Sequence, residues 1–263
     1  MSFMKEVVWH VRFGWAHVRA ALGSTKALFH LGRYYESTKT DRKDMTKAVT
    51  FYIRAANKGY APAQTQLGDL YTEGKGIEKN EQKASYWYAK AADQYRLQAE
   101  KGDAQARWKY GLCFAYGKGV EKDPEQAVLW YTKAAEQGEV RAQTNLGHAY
   151  SQGIGVEHDP EKALYWTRKA AEQGYARAQN NLGDYYENGK GVEQSYEQAF
   201  YWYSLAARNG DKYAQHSVGV CYRDGLGVKQ DREKAIWWLG QAIENGKTEA
   251  MADLKKCQEL VND

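Results

Sequence analysis

The chain has 263 residues, enough for one large domain or two ordinary ones, and 43% of them are hydrophobic, enough to bury a core. Its net charge of +4 comes from 37 basic and 33 acidic side chains spread along the whole length, a field too weak and mixed for a nucleic-acid partner. Cys113, Cys221 and Cys257 are odd in number, far apart and in no CxxC pair, so they imply neither a disulfide framework nor a zinc knuckle.

Residues 1–23 (MSFMKEVVWHVRFGWAHVRAALG) place Met4, Val7, Val8, Val11, Trp15, Val18 and Leu22 on one helical face and are expected to form an N-terminal capping helix. Lys5, Arg12 and Arg19 oppose that face, so an interfacial membrane helix is the alternative reading. Lys5, Glu6, His10, Arg12, His17 and Arg19 leave no uninterrupted apolar run for a secretory signal or a membrane span, and a cytoplasmic location is expected.

A repeat occupies residues 24–247. Leu-Gly or a close variant recurs at 31–32, 67–68, 110–111, 146–147, 182–183 and 218–219, at a step of 36 residues with one exception. Between Gly68 and Gly111 the step is 43, because YRLQAEK (Tyr95 to Lys101) is inserted. The repeats therefore span 25–60, 61–103, 104–139, 140–175, 176–211 and 212–247. Seven residues are close to two helical turns, so the insert can lengthen a helix and turn its face by only about 20°. The insert is read as a neutral extension of the helix, or else as a protrusion with Tyr95, Arg96 and Lys101 on one edge.

Residues 176–211 show the repeat in its cleanest form. Ala178, Leu182 and Tyr186 mark one apolar stripe, and Ala199, Trp202 and Ala206 mark a second, giving two amphipathic helices. Asp123, Asp159, Ser195 and Asp231 stand where an N-cap is needed, with Pro124 and Pro160 next in line and Pro62 in another first turn. Glycines at 59, 102, 138, 174, 210 and 246 follow the second helices. Glycine pairs at 74/76, 117/119, 153/155, 189/191 and 225/227 mark the turn between helices. The residue inside each pair is Lys75, Lys118, Ile154, Lys190 or Leu226, so a phosphate-binding loop is not supported, and Lys190 is expected to be exposed and replaceable. Glycine inside the first helix implies a close helix crossing there. Phe51, Trp87, Trp130, Trp166, Trp202 and Trp238 are expected to lie over it. Residues 248–263 carry only a first-helix pattern, with Ala250 and Leu254 at core positions, and read as a C-terminal capping helix.

The segment LGDYYENGKGVEQSYEQAFYWYSLAARNGD and its neighbours resemble Sel-one-like repeats, a subfamily of the tetratricopeptide-like helical repeats. The resemblance implies an all-α fold, a right-handed superhelix of about six helical hairpins between capping helices. Its first helices would line a concave groove that holds another protein or a peptide segment. It implies no catalytic motif and no cofactor. The first repeat departs from the pattern, since Glu36-Ser37-Thr38-Lys39-Thr40 has neither turn glycine.

By the same resemblance the groove carries the residues two before and two after the Leu of each first helix. The candidate partner-binding set is Thr65, Asp69, Trp108, Leu112, Thr144, His148, Asn180, Asp184 and His216, with Arg141 and Arg177 nearby. Trp108 beside arginines has the composition of a binding hot spot, or else packs on the extended second helix before it. The expected role is a non-catalytic bacterial adaptor or regulator. An immunity protein that neutralises a toxin or effector is one alternative, and a metal-dependent or catalytic module around His148, Asp184 and His216 is another. The histidines show no HExxH spacing, and no Ser or Cys stands in a nucleophile motif, so no catalytic, cofactor or metal residue is assigned.

Overall fold

A computed structural model describes residue 16, residues 18–37 and residues 44–259. Most of the expected N-terminal capping helix, and the interfacial alternative in the same segment, lie outside these residues. Of its apolar face only Val18 and Leu22 are described; both are exposed, at 50% and 82%. Ala20 is buried instead, with Ala16 packed beside it against Leu28 and Leu31.

All regular structure among the described residues is helical. The helices are α1 (Thr25–Glu36), α2 (Met45–Asn57), α3 (Ala61–Glu73), α4 (Glu81–Glu100), α5 (Ala104–Tyr116), α6 (Pro124–Ala135), α7 (Val140–Gln152), α8 (Pro160–Glu172), α9 (Ala176–Asn188), α10 (Tyr196–Arg208), α11 (Lys212–Asp224), α12 (Arg232–Glu244) and α13 (Ala250–Glu259). They fall into two compact units, Met1–Asp123 with α1 to α5 and Pro124–Asp263 with α6 to α13. Each unit is a row of helices packed on their chain neighbours.

The helix starts follow the capping chemistry. Asp159, Ser195 and Asp231 accept from the backbone N–H three residues on, and Asp44 and Asn80 do the same for α2 and α4. After α1, which ends on Ser37, the first helices end on a left-handed glycine, as at Gly189 with φ 65°.

Within a hairpin the crossing is set at the helical glycine. A Cβ on Gly32, Gly68 or Gly183 would lie 2.5, 2.3 or 2.4 Å from Cε1 of Tyr52, Tyr88 or Tyr203. The ring over the glycine is thus the residue after the expected one. One step around a helix turns a side chain by about 100°, which carries Phe51, Trp87 and Trp202 off the crossing. Those rings are half-buried. Trp202 packs on a cluster of α8 and α9 residues that includes Leu164, Ala171 and Leu182, and Trp238 packs on one of α10 and α11 residues that includes Tyr203 and Val218.

Between hairpins a buried glutamine closes the end of each second helix. Nε2 of Gln64, Gln143, Gln179 and Gln215 donates to the carbonyls of Ala56, Ala135, Ala171 and Ala207 at 3.1, 3.1, 3.2 and 3.3 Å. Arg107 takes that place on the Ala99 carbonyl, at 3.1 Å. Each of these helix-end carbonyls also accepts from the N–H of the glycine that follows, Gly59, Gly102, Gly138, Gly174 or Gly210. The glutamine Oε1 atoms of Gln143, Gln179 and Gln215 accept in turn from the C-cap side chains Gln173, Asn209 and Asn245.

The insert breaks this pattern once. It lengthens α4 to 20 residues where α8 has 13, so the chain is still helical where a C-cap side chain would serve Gln64. Gln64 Oε1 is consequently buried with no partner, an arrangement that costs about 1–3 kcal/mol. Tyr95 does not project. It is 5% exposed, with its hydroxyl 3.3 Å from Thr65 Oγ1, because the added turns keep the inward face in register. Arg96 stays at the surface and pairs with Glu100 at 3.1 Å.

The insert also steps the next hairpin along α4. The second turn glycine normally rests on the first residue of the preceding second helix: a Cβ on Gly155 or Gly227 would lie 2.2 Å from the Pro124 carbonyl or 2.0 Å from that of Tyr196. Gly119 rests on Tyr88, seven residues inside α4, at 2.2 Å. That is a displacement of about 10 Å at 1.5 Å per residue.

At the other end, α13 covers α12 through Ala250, Cys257 and Leu254, as the C-terminal cap was expected to do. Asp253 anchors it, accepting from Arg223, from His216 Nε2 at 2.8 Å and from Lys256 at 3.3 Å. Partial burial pushes its carboxyl up, but these hydrogen bonds prevail and hold it down, to about 2.

Two outcomes follow. Gly183→Ala forces the pinned Tyr203 ring aside and lowers stability by about 2–4 kcal/mol, whereas Gly174→Ala, with φ 82° and nothing within 4 Å of the new methyl, loses only about 1–2 kcal/mol; denaturant melts separate the two. Asp253 has a depressed pKa, so its contribution is complete above the ordinary 3.8 and disappears as pH falls through about 2. The Tm of Asp253→Asn should therefore lie below wild type at pH 7 and meet it near pH 2.

Candidate functional site

Each unit holds a cavity where first-helix side chains meet the hairpin that follows. In the first unit it measures about 130 Å³ and is lined by Thr65, Tyr88, Ala91, Tyr95, Lys109, Leu112, Cys113, Tyr116 and Lys118. The step along α4 creates it, since it brings α5 and the turn after it onto the middle of that helix. Lys118 of the turn reaches back to Asp69 Oδ1 at 2.5 Å, and the Tyr88 hydroxyl donates to the same oxygen at 2.7 Å. Burial pushes the Cys113 thiol up to about 11, so it stays protonated and inert at neutral pH.

In the second unit the cavity measures about 160 Å³ and is lined by His148, Ser151, Thr167, Asn181, Asp184, Tyr185 and Lys190. Asp184 sits between this space and its own hairpin, where the Tyr203 hydroxyl donates to it at 2.6 Å and to Glu187 at 2.7 Å. Burial pushes the Asp184 carboxyl above the usual range, against the Tyr203 hydrogen bond that lowers it, and the Glu187 charge adds to the rise.

The candidate residues fall into three groups. Thr65 and Leu112 line the first cavity, and His148 and Asp184 line the second. Asp69 is held by Tyr88 and Lys118; Arg141 is held by Glu139, its Nε 2.7 Å from Oε1; His216 is held by Asp253 of α13. Trp108 is only 9% exposed and Thr144 only 6%, the latter bonded to the Val140 carbonyl at 2.8 Å, so both present little surface. Arg177 is exposed, and Asn180 keeps a buried Oδ1 with no partner.

His148 and Asp184 share a cavity that His216 does not line. Among the described residues no group of three or more His, Cys, Asp or Glu is placed to hold a metal ion. No helix there is long and apolar enough to cross a membrane. Tyr95, Asn181 and the turn lysines were not among the candidates. Lys190 is exposed as expected, yet it forms part of the cavity wall. The signal for it was the insert at 95–101 in one case and the lysine alternating with Ile and Leu inside the glycine pairs in the other.

Comparison with known proteins agrees with this architecture. The chain spans only part of two relatives: it is 38% identical over 79 residues to the chitin synthase regulator SKT5 of Saccharomyces cerevisiae, covering 11% of that protein. It is 36% identical to the protective antigen c5321 of uropathogenic Escherichia coli, which displays an SLR fold, over 92% of this chain and 50% of that one, with a TM-score of 0.59. A Sel1 repeat protein from Oxalobacter formigenes is 35% identical over 80% of both chains, with a TM-score of 0.59. The immunity protein Pa5087 of Pseudomonas aeruginosa is 25% identical over 84% of this chain and 81% of its own, with a TM-score of 0.60. The Sel1 repeat model matches residues 25–60, 61–95, 104–139, 140–175, 176–211 and 212–247. With six such matches along most of its length, the chain belongs to the Sel1 repeat family.

Proposed function

We propose that this protein is a non-catalytic scaffold that holds a partner protein, or a peptide segment of one, along the variable positions of its first helices, as an adaptor or regulator. The observation that carries this reading is the location of the two cavities. Both open at those positions, with Thr65 and Leu112 in one and His148 and Asp184 in the other. The residues that repeat are consumed by packing: leucine and alanine by the core, glycine by the crossing, glutamine by the helix ends. Partner choice is left to what varies. Arg177 is exposed beside this row and is the side chain of the set best suited to a charged contact, whereas Trp108 is committed to the core.

A second reading, an immunity protein that blocks a toxin, draws support from the likeness to Pa5087 over most of both chains. The two readings share a surface and differ in the partner.

Affinity capture of the tagged full chain with mass spectrometry tests the surface. Arg177→Glu and His148→Glu should each weaken capture of a specific partner by about tenfold or more with helicity unchanged, while Tyr201→Ala, at an exposed ring on a second helix, should leave it intact. Equal capture by all three variants refutes the assignment. A captured toxin selects the immunity reading.

A further inference from the structure

Three second helices carry tyrosine over the glycine, Tyr52, Tyr88 and Tyr203, and α12 carries Leu239, but α8 carries Thr167. Where tyrosine is present its ring fills the crossing and its hydroxyl emerges between the side chains two and five residues after the repeat leucine. Tyr52 donates to Glu36, Tyr88 to Asp69, and Tyr203 to Asp184 and Glu187. In the α7–α8 hairpin the equivalent positions are His148 and Ser151, and a Cβ on Gly147 would meet Thr167 Oγ1 at 2.5 Å and the Ala163 carbonyl at 3.1 Å. A ring and a hydroxyl are therefore replaced by a side chain too short to reach the surface.

The space left behind is the cavity of about 160 Å³, walled by Thr167, His148 and Ser151 on one side and by α9 on the other. Its polar groups match those around a tyrosine hydroxyl elsewhere. Asn181 stands where Gln66 donates to the Glu36 that holds Tyr52, and Lys190 completes the wall. The missing group is thus defined in shape by the neighbouring hairpin and in chemistry by the lining: an aromatic ring ending in a hydroxyl.

We propose that this cavity receives a tyrosine side chain from the partner protein, which seats its ring against Thr167 and Tyr185 and its hydroxyl between His148, Ser151 and Asn181. The proposal rests on the groove-binding reading for the source of the tyrosine, and it adds the anchor residue that a partner must carry. A ring in a preformed, half-enclosed site with several polar partners fits the geometry of a hot spot.

The test needs no partner. Labelled full-length protein is titrated with p-cresol, the side-chain analogue of tyrosine, and the Thr167 methyl and His148 ring are followed by NMR. A saturable shift of both is expected, with a dissociation constant of about 1 mM, the range set by so small a ligand. Toluene, which lacks the hydroxyl, should bind about fivefold more weakly. Thr167→Tyr places the missing ring in the cavity from within, and should abolish the response while raising Tm. His148→Ala, at an exposed side chain, should leave the fold intact, as checked by circular dichroism, and weaken p-cresol about fivefold. A shift that does not saturate, or a His148→Ala variant that binds p-cresol like wild type, overturns the proposal. Failure here leaves the groove reading untouched, because Arg177→Glu tests that by capture of the partner itself.

Discussion

The structure depends on the absence of one carbon atom. At Gly32, Gly68 and Gly183 the first helix has no Cβ, and the edge of a tyrosine ring occupies the space, 2.3 to 2.5 Å from where that carbon would be. Close approach of the two helices buries the ring and lets its hydroxyl reach the far surface, where carboxylates accept from it. One residue thus serves as core and as part of the surface network. The helical penalty of glycine, about 1 kcal/mol relative to alanine, is small against the burial of an aromatic ring. Any change in the ring is felt at the surface positions two and five residues beyond the leucine, so that surface is tuned from inside the hairpin.

Much of this was legible in the chain, for reasons tied to particular residues. The repeat, its helix starts and its turns could be read because capping residues and left-handed glycines act locally; Ser195, Asp231 and Gly189 need only their immediate neighbours. The identity of the crossing ring was not legible. Trp202 and Tyr203 are adjacent and both aromatic, and which of them faces Gly183 depends on the rotation of α10, fixed by contacts with the hairpins on either side. The candidate site divides along the same line. His148 and Asp184 were placed by the family resemblance, whereas Tyr95 and Lys118 reach their cavity only because the insert shifts one hairpin against the next. His216 is paired with Asp253, which lies 37 residues away in sequence.

The two cavities arise from opposite departures from the repeat. In the first unit extra residues displace α5 along α4, and the mismatch opens a largely apolar recess with lysines at its edge. In the second a smaller side chain, Thr167, leaves a polar recess in a hairpin of ordinary length. A regular stack of identical hairpins would fill both. Specific recognition in such a fold can thus be acquired by subtraction from the packing pattern, without a new loop or a new element.

The unpartnered Gln64 Oε1 and the shifted contact of Gly119 on Tyr88 bear on how such a chain is edited. Interfaces built on the Gln143 and Gln179 pattern are interchangeable: excising residues 140–175 would bring Gln179 to the Ala135 carbonyl in the manner of Gln143. The interface between α4 and α5 has no equivalent, because Arg107 replaces the glutamine and the turn glycine rests seven residues further along. Duplication and loss of whole repeats are therefore open to the second unit at little structural penalty, while the junction carrying the insert is fixed in copy number.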